Sequence, residues 1–591
     1  MKSSVRIGCG AGFWGDSAEG PKQLVESGEI DYLMLDYLAE ITMSLLARAR
    51  IKDANAGYAT DFPTVIASLA PQLQARGIKV VSNAGGVNPQ ACKAAIDAQL
   101  AALGIKLTVA VVTGDDLLPR AAEFADVTEM FSGSAMPARL WSMNAYLGAF
   151  PIAAALAAGA DIVVTGRCVD SALALGPLIH EFDWQADDYD LLSAGSLAGH
   201  VIECGAQATG GISTDWREVM GDWDRMGFPI AICQPDGRFI ATKPTGSGGR
   251  VVPATVAEQI VYEIGDPAAY LLPDVTCDWR DVQLEQVGNH QVRVSGARGF
   301  APTAHYKVSA TYQDGFRSSG TMMIGGVDAV EKAEAVGAAI LKRTRRLFAE
   351  RDLADYLRTD IEVLGSEANW GAASRRRDAR EVILKVAVHH ADKNALEIFG
   401  REFIPPATAM AQGITGFSGG RPSPTPLVRL FSCLVPKSAV PIQVDGDVFG
   451  SRKFEGGTAQ PQPTAAPLPE PLPQRERGHG HRVVPLITLA TGRSGDKGNA
   501  ANIGVLARKP EFVALLREQL TADAVHQYFA HFVEGKVERF ELPGLQGFNF
   551  LLHEALGGGG MASLRYDPQG KMLAQILMDF PMHVPTGLLP P

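Results

Sequence analysis

Short apolar runs alternate with longer amphipathic stretches through the first 200 residues. Residues 5–8, 32–35, 79–82, 107–112 and 161–165 are brief and mostly apolar, and they predict strands. Residues 42–50, 63–75, 89–102 and 141–158 lie between or beside them and predict helices. Pro63 and Pro89 stand where a first helical turn accepts proline, with Asp61 and Asn88 as caps. Regular alternation of strand and helix predicts an α/β fold: an open, mostly parallel sheet with helices on both faces.

The texture changes near residue 210. Strand-like runs at 305–312 and 383–388 mix with helical ones at 328–348 and 391–399, which reads as an α+β extension of a main domain spanning 1–455. Six prolines then fall between Pro461 and Pro473, so 456–481 reads as an extended linker. A separate small domain follows at 482–585. It begins with a strand at 483–489, a polar glycine-rich loop, and a second strand at 503–506. Helices across 510–532 and strands at 537–542, 563–566 and 573–578 complete it. That order suits a ferredoxin-like α+β sandwich.

Composition narrows the function classes. The chain has 591 residues, 46% apolar and 20% charged, as expected of a large globular protein. A net charge of −11 argues against nucleic acid as the main partner, which needs a basic surface. The seven cysteines include no CxxC pair, which predicts reduced thiols and a cytoplasmic protein. The N-terminus lacks an apolar segment of signal-peptide length, and no run is long enough to cross a bilayer, so no membrane partner is expected.

In an open parallel sheet, ligands sit at the carboxyl ends of the strands. Here those ends carry Gly10 and Gly12, then Asp36 with Glu40, then Asn83, Gly85 and Gly86, then Asp115 and Asp116, and finally Arg167 and Asp170. Such a coincidence of glycine, carboxylate, amide and cation predicts a pocket. Residues 10–15 match GxGxxG, yet Asp16 and Glu19 follow and would repel a pyrophosphate, so the reading is a glycine-rich turn without a dinucleotide. No cofactor is expected.

Three further segments are dense in chemistry. Residues 199–211 hold His200, Glu203, Cys204, Gln207, Gly210 and Gly211. On a helix His200 and Cys204 share a face, a spacing that serves a thiol–imidazole pair, a metal site with Glu203, or simple packing. Residues 243–250 place Lys243 and Arg250 around three glycines, as an anion grip or a plain loop. The C-terminal loop at 490–502 holds Arg493, Asp496, Lys497 and Asn499, far more polar chemistry than a turn requires.

Taken together these segments resemble the acyclic terpene utilisation protein A family. The resemblance runs through residues 10–13, 83–86, 199–216, 243–249, 262–275 and 492–499. It implies a role in catabolism of acyclic terpenes such as citronellol and of related branched acids, through coenzyme A thioesters. The first expectation is a hydratase, lyase or isomerase acting on a branched acyl-CoA or carboxylic acid. Asp36, Glu40 and Asp170 are the candidate bases. Arg167, Asn83 and the amides of Gly85 and Gly86 are the donors for a developing enolate. Arg493 and Lys497 would hold the anionic end, with Asp496 fixing them. The alternatives are a Cys204-dependent acyltransferase or hydrolase, and a non-catalytic acyl-CoA-binding subunit. A homo-oligomer is expected.

Overall fold

The computed structural model describes residues 2–417, 419–449 and 481–588. The expected linker therefore lies outside the described residues, apart from His481.

Five parallel strands form the centre of an 11-stranded sheet. Val5–Cys9, Tyr32–Leu35, Lys79–Ser82, Ile162–Thr165 and Val109–Thr113 lie side by side in that order. All four residues of Ile162–Thr165 are buried, as a strand covered on both faces requires. Antiparallel strands extend the sheet on both sides, beginning with Ile230–Cys233 next to Val5–Cys9 and Gln443–Val444 next to Val109–Thr113.

Helices cover the sheet as the periodicity predicts. In Phe62–Arg76, residues Phe62, Ile66, Leu69, Ala70 and Leu73 form the buried stripe, and Gly77 closes the helix in a left-handed conformation. Asn88 caps Pro89–Leu103 by accepting from Ala91 N–H. Asp61 does not cap its helix; its carboxylate instead accepts the Trp14 indole N–H at 2.6 Å.

The helix expected at 141–158 divides. Ser142–Ala145 is a strand and only Phe150–Ala157 is helical. The cause is tertiary: Ser142–Ala145 pairs with the first part of a 21-residue strand, His305–Gly325. That long strand also pairs with Thr425–Pro436 and Glu381–His390, forming a second sheet backed by Ala329–Ala349 and Lys393–Glu402.

The C-terminal domain has its own core around Phe512, Leu516, Phe529, Phe548 and Phe550. Its sheet runs Ala490–Lys497, Ala500–Ala507, Gly547–Leu552, Val537–Leu542, all antiparallel. The polar loop expected at 490–502 is thus a β-hairpin turning at residues 498–499. The strand expected at 563–566 is irregular, and that at 573–578 is the helix Leu573–Leu577. Short apolar runs carry no period long enough to separate those cases. Strands Gly547–Leu552 and Pro581–Pro585 were not anticipated.

The hairpin lies directly on the main domain, and small residues make this contact. A Cβ at Gly504 would sit 2.2 Å from Val261 Cγ2, and one at Gly495 would sit 2.6 Å from Tyr262 Cε2. Asn502 and Asn549, both fully buried, supply the polar half of the seam. Asn502 accepts the Glu263 amide at 2.9 Å and donates to the Val261 carbonyl at 2.6 Å. Asn549 donates to the carbonyls of Ile264 and Gly265. Each main-chain group of 261–265 bonded in this way is a buried polar atom satisfied across the seam.

Candidate functional site

The carboxyl ends of the parallel strands form the floor of a cleft closed on one side by this hairpin. Asp36 follows Tyr32–Leu35 and is almost fully buried; its carboxyl accepts from Asn83 Nδ2 at 2.6 Å. Asn83 Oδ1 in turn accepts the Tyr37 amide at 2.7 Å. Arg167 follows Ile162–Thr165 and is also buried. Its Nη1 donates to the Leu38 and Cys168 carbonyls and to Asp170 at 2.6 Å, while Nε has no partner. Asp115 ties this layer together by accepting from Arg167 N–H and Asn144 Nδ2, both at 2.8 Å.

One wall is built from Glu40, Tyr146 and Lys307. Glu40 opens the helix Glu40–Lys52 and accepts the Tyr146 hydroxyl. Lys307 Nζ stands 3.7 Å from Glu40 and 4.7 Å from the centre of the Tyr146 ring. The Arg167 guanidinium covers the same ring at 4.3 Å. Burial opposes ionisation of Glu40, yet Lys307 and Arg167 bring its carboxyl down to about 2. Glu40 is a fixed anion. The Lys307, Asp170 and Glu40 side chains keep 42%, 35% and 29% of their surface open to water.

Glu203 and His200 hold a proton at the centre. His200 Nε2 is 3.2 Å from the Ile260 carbonyl and must donate to it. Burial lowers the imidazole to about 4, so the ring is neutral and Nδ1 is an acceptor. Nδ1 lies 2.9 Å from Glu203 Oε1. Two acceptors cannot bond, so Glu203 supplies the proton. Burial, with the charges of Asp170 and Glu263 added, pushes this carboxyl well above its ordinary range. Asp36 is pushed up in the same direction by burial, Asp170 and Glu203.

The C-terminal hairpin contributes the opposite rim. Lys497 Nζ donates to the Glu263 carbonyl at 2.8 Å and lies 5.0 Å over the Tyr270 ring. Burial and the facing Lys307 lower its ammonium. Asp496 is raised to about 7 by burial, then by Glu263 and Glu40. Arg493 does not reach the cleft: it is buried in the seam, donating to Gln207 at 2.8 Å, to the Gly211 carbonyl at 3.4 Å and to Glu258 at 3.2 Å. Gln207 and Gly211 therefore serve domain contact.

The remaining sequence candidates separate. Gly12 is a close approach: a Cβ there would meet the Cys204 carbonyl carbon at 2.7 Å. Its amide is taken by the Asp16 carboxylate at 2.9 Å, so the turn binds its own anion. Gly10 packs against Pro21, Gly85 against the Thr165 carbonyl, and Gly86 has a φ of 55°. Gly210 has a φ of 103° beside Val219. Lys243 stands apart, donating to the Ser247 carbonyl in its own loop. Asn499 caps a turn of the glycine run by accepting from Gly558 N–H at 2.7 Å. Cys204 and His200 do not pair. Burial and the neighbouring Glu203 and Glu263 push the Cys204 thiol well up, the reverse of nucleophile activation. Sequence reasoning missed Glu203 as an acid, and it missed Tyr146, Glu263, Tyr270 and Lys307. Glu203 stood inside a segment already singled out, whereas Lys307 carried no motif.

The raised carboxyls give a testable pH dependence. Burial first of all lifts Asp115 to about 7 and Asp274 to about 6, and Asp496 joins them at about 7. An unfolded aspartate titrates at about 3.9. The folded state therefore binds more protons, and the stability these groups contribute is complete below about 4 and lost as pH rises through 6 and 7. Thermal unfolding should show a falling midpoint between pH 5 and pH 8. Asp115→Asn should make that decline shallower, and a midpoint rising across this range would contradict the assignment.

The fold defines an α/β protein with a separate small α+β domain at its C-terminal end. The chain belongs to a known family: the model of the acyclic terpene utilisation family protein AtuA matches residues 5–445. The AtuA ferredoxin-like domain matches residues 484–583. No curated protein matches the chain. No helix among the described residues is long and apolar enough to cross a membrane.

Proposed function

We propose that the cleft carries out proton transfer next to the carbonyl of a branched acyl-CoA or carboxylic acid, in a lyase, hydratase or isomerase reaction. Family membership supports the setting, acyclic terpene utilisation. The observation that carries the chemistry is the separation of carboxyl states in one cleft. Glu203 is held protonated against His200, while Glu40 is held ionised by Lys307 and Arg167. Environments that push like groups apart mark Glu203 as the proton donor and leave Glu40 as a fixed counter-charge.

Asp170 is the base. Its contact with Arg167 fixes it, and its side chain remains open to the cleft. It takes the proton α to the carbonyl. The electron pair moves to the carbonyl oxygen, where Arg167, Lys307 and Lys497 supply the compensating charge. Glu203 delivers its proton to the carbon or oxygen that needs one while His200 Nδ1 orients the carboxyl, and water then reprotonates Glu203 and takes the proton from Asp170. The test is incubation with a panel of branched acyl-CoA thioesters and free acids in heavy water, followed by mass spectrometry. Deuterium at the α carbon or a new product is expected, and Asp170→Asn should remove it. Tight binding without exchange or product across the panel would mean a non-catalytic binding subunit instead.

A further inference from the structure

A second cavity lies at the far end of the helix that begins with Glu40. It has a volume of about 300 Å³ and is lined by Arg48, Ile51, Lys52, Arg139, Trp141 and Gln313. The Arg48 guanidinium stands 5.4 Å from the centre of a Trp141 ring. Among the described residues, no carboxylate forms an ion pair with Arg48, Lys52 or Arg139. In a chain of net charge −11, three cations without a carboxylate partner beside one indole form a local cationic and aromatic surface. An anion with a flat aromatic group meets both halves of it, by ion pairing and by stacking.

The cavity is also in register with the acid–base cleft. Glu40 and Arg48 lie on one helix eight residues apart, and Lys52 four further, which spans about 12 to 18 Å at the helical rise. Lys307 and Gln313 lie on one strand, six residues apart, which spans about 20 Å. Ile41 and Leu45 sit between the two ends of the helix, one turn apart, with 49% and 48% of their surface exposed. The helix and the strand thus each carry residues of both sites, with the exposed Ile41 and Leu45 between them along the helix. The cavity is at the small end of ligand sites and takes one ligand terminus, not a whole cofactor.

We infer that this cavity binds the phosphorylated adenosine end of a coenzyme A thioester whose acyl end enters the cleft. The inference deepens the proposed function and names its substrate class. The pantetheine arm, apolar at its dimethyl carbon, would lie over Ile41 and Leu45. The adenine would stack on Trp141, and Arg48, Lys52 and Arg139 would hold the phosphates.

Calorimetric titration of the full chain with adenosine 3′,5′-bisphosphate tests this without any turnover. The bisphosphate should bind and compete with coenzyme A. Lys52→Ala and Arg139→Ala, both at exposed positions, should each weaken it about tenfold, the loss of one charge-assisted contact. Asp170→Asn should bind it as the wild type does, so failure of the acid–base reading leaves this measurement intact. Inorganic phosphate binding as tightly would overturn the nucleotide assignment. So would absence of bisphosphate binding, or unchanged affinity in both alanine variants. An oligomer that dissociates in Ile41→Lys with coenzyme A affinity unaltered would also overturn it, by making the apolar stretch an interface between copies.

Discussion

Glu203→Gln is expected to lower turnover by about 10²- to 10⁴-fold, the range for removing a positioned general acid. Glutamine keeps the shape of the side chain, and its amide can still donate to His200 Nδ1, the contact now made at 2.9 Å. What it lacks is a proton that can leave. Substrate affinity should change little, because the charged groups of the wall and rim, Glu40, Lys307 and Lys497, are untouched. The alkaline limb of the rate profile should also disappear, since in the wild type that limb reports deprotonation of a carboxyl pushed up by burial. Steady-state kinetics on whichever substrate shows α-deuteration decides the matter. More than a tenth of wild-type turnover with an unchanged pH profile would remove Glu203 from the mechanism.

A larger effect on stability is expected from Glu258→Ala. Glu258 is fully buried, accepts the Thr214 amide with both oxygens at 3.2 Å, and pairs with Arg493 at 3.2 Å. Its loss leaves a guanidinium inside the protein with only Gln207 and the Gly211 carbonyl as partners, and with Nε already unpaired. Breaking a buried pair from one side costs about 3–5 kcal/mol. Arg493 belongs to the C-terminal hairpin and Glu258 to the helix Pro253–Ile260, so the penalty falls on the contact between domains. Denaturant unfolding should show an early transition absent from the wild type. The double variant Glu258→Met, Arg493→Met should recover most of the loss, because apolar replacement of a whole buried pair is nearly neutral. A single-variant cost below about 1 kcal/mol, the value of an exposed pair, would refute the role.

These two residues illustrate what the sequence could and could not convey. The five parallel strands were legible because burial on both faces forces continuous apolar runs. The helix stripe of Phe62, Ile66 and Leu73 was legible for the corresponding reason. Asp36, Glu40, Arg167 and Asp170 could be placed together from sequence because open parallel sheets bring their strand ends to one side. Lys307 and Tyr146 could not be found this way. Lys307 lies on one strand and Tyr146 directly follows another, the two strands meet only by pairing across about 160 residues, and neither residue has an informative neighbour. The polar hairpin was recognised as unusual but misread. Arg493 looked like a ligand cation, and its partner Glu258 stood unmarked more than 200 residues earlier. Short runs such as Leu573–Leu577 failed for lack of length, since five residues fit a strand or a helix equally well.

Gly495, Gly504 and Asn502 have a consequence for how such a chain can change over time. Their neighbours Val261, Tyr262 and Glu263 lie in contact or bond with them directly. A larger residue on either side demands a smaller one opposite, so substitutions here are admissible chiefly in compensating pairs. The open side chains at the strand ends, such as Lys307 and Asp170, obey no such reciprocity. Descendants of this sequence can therefore exchange substrates by drift in the cleft while the join between the domains stays almost frozen.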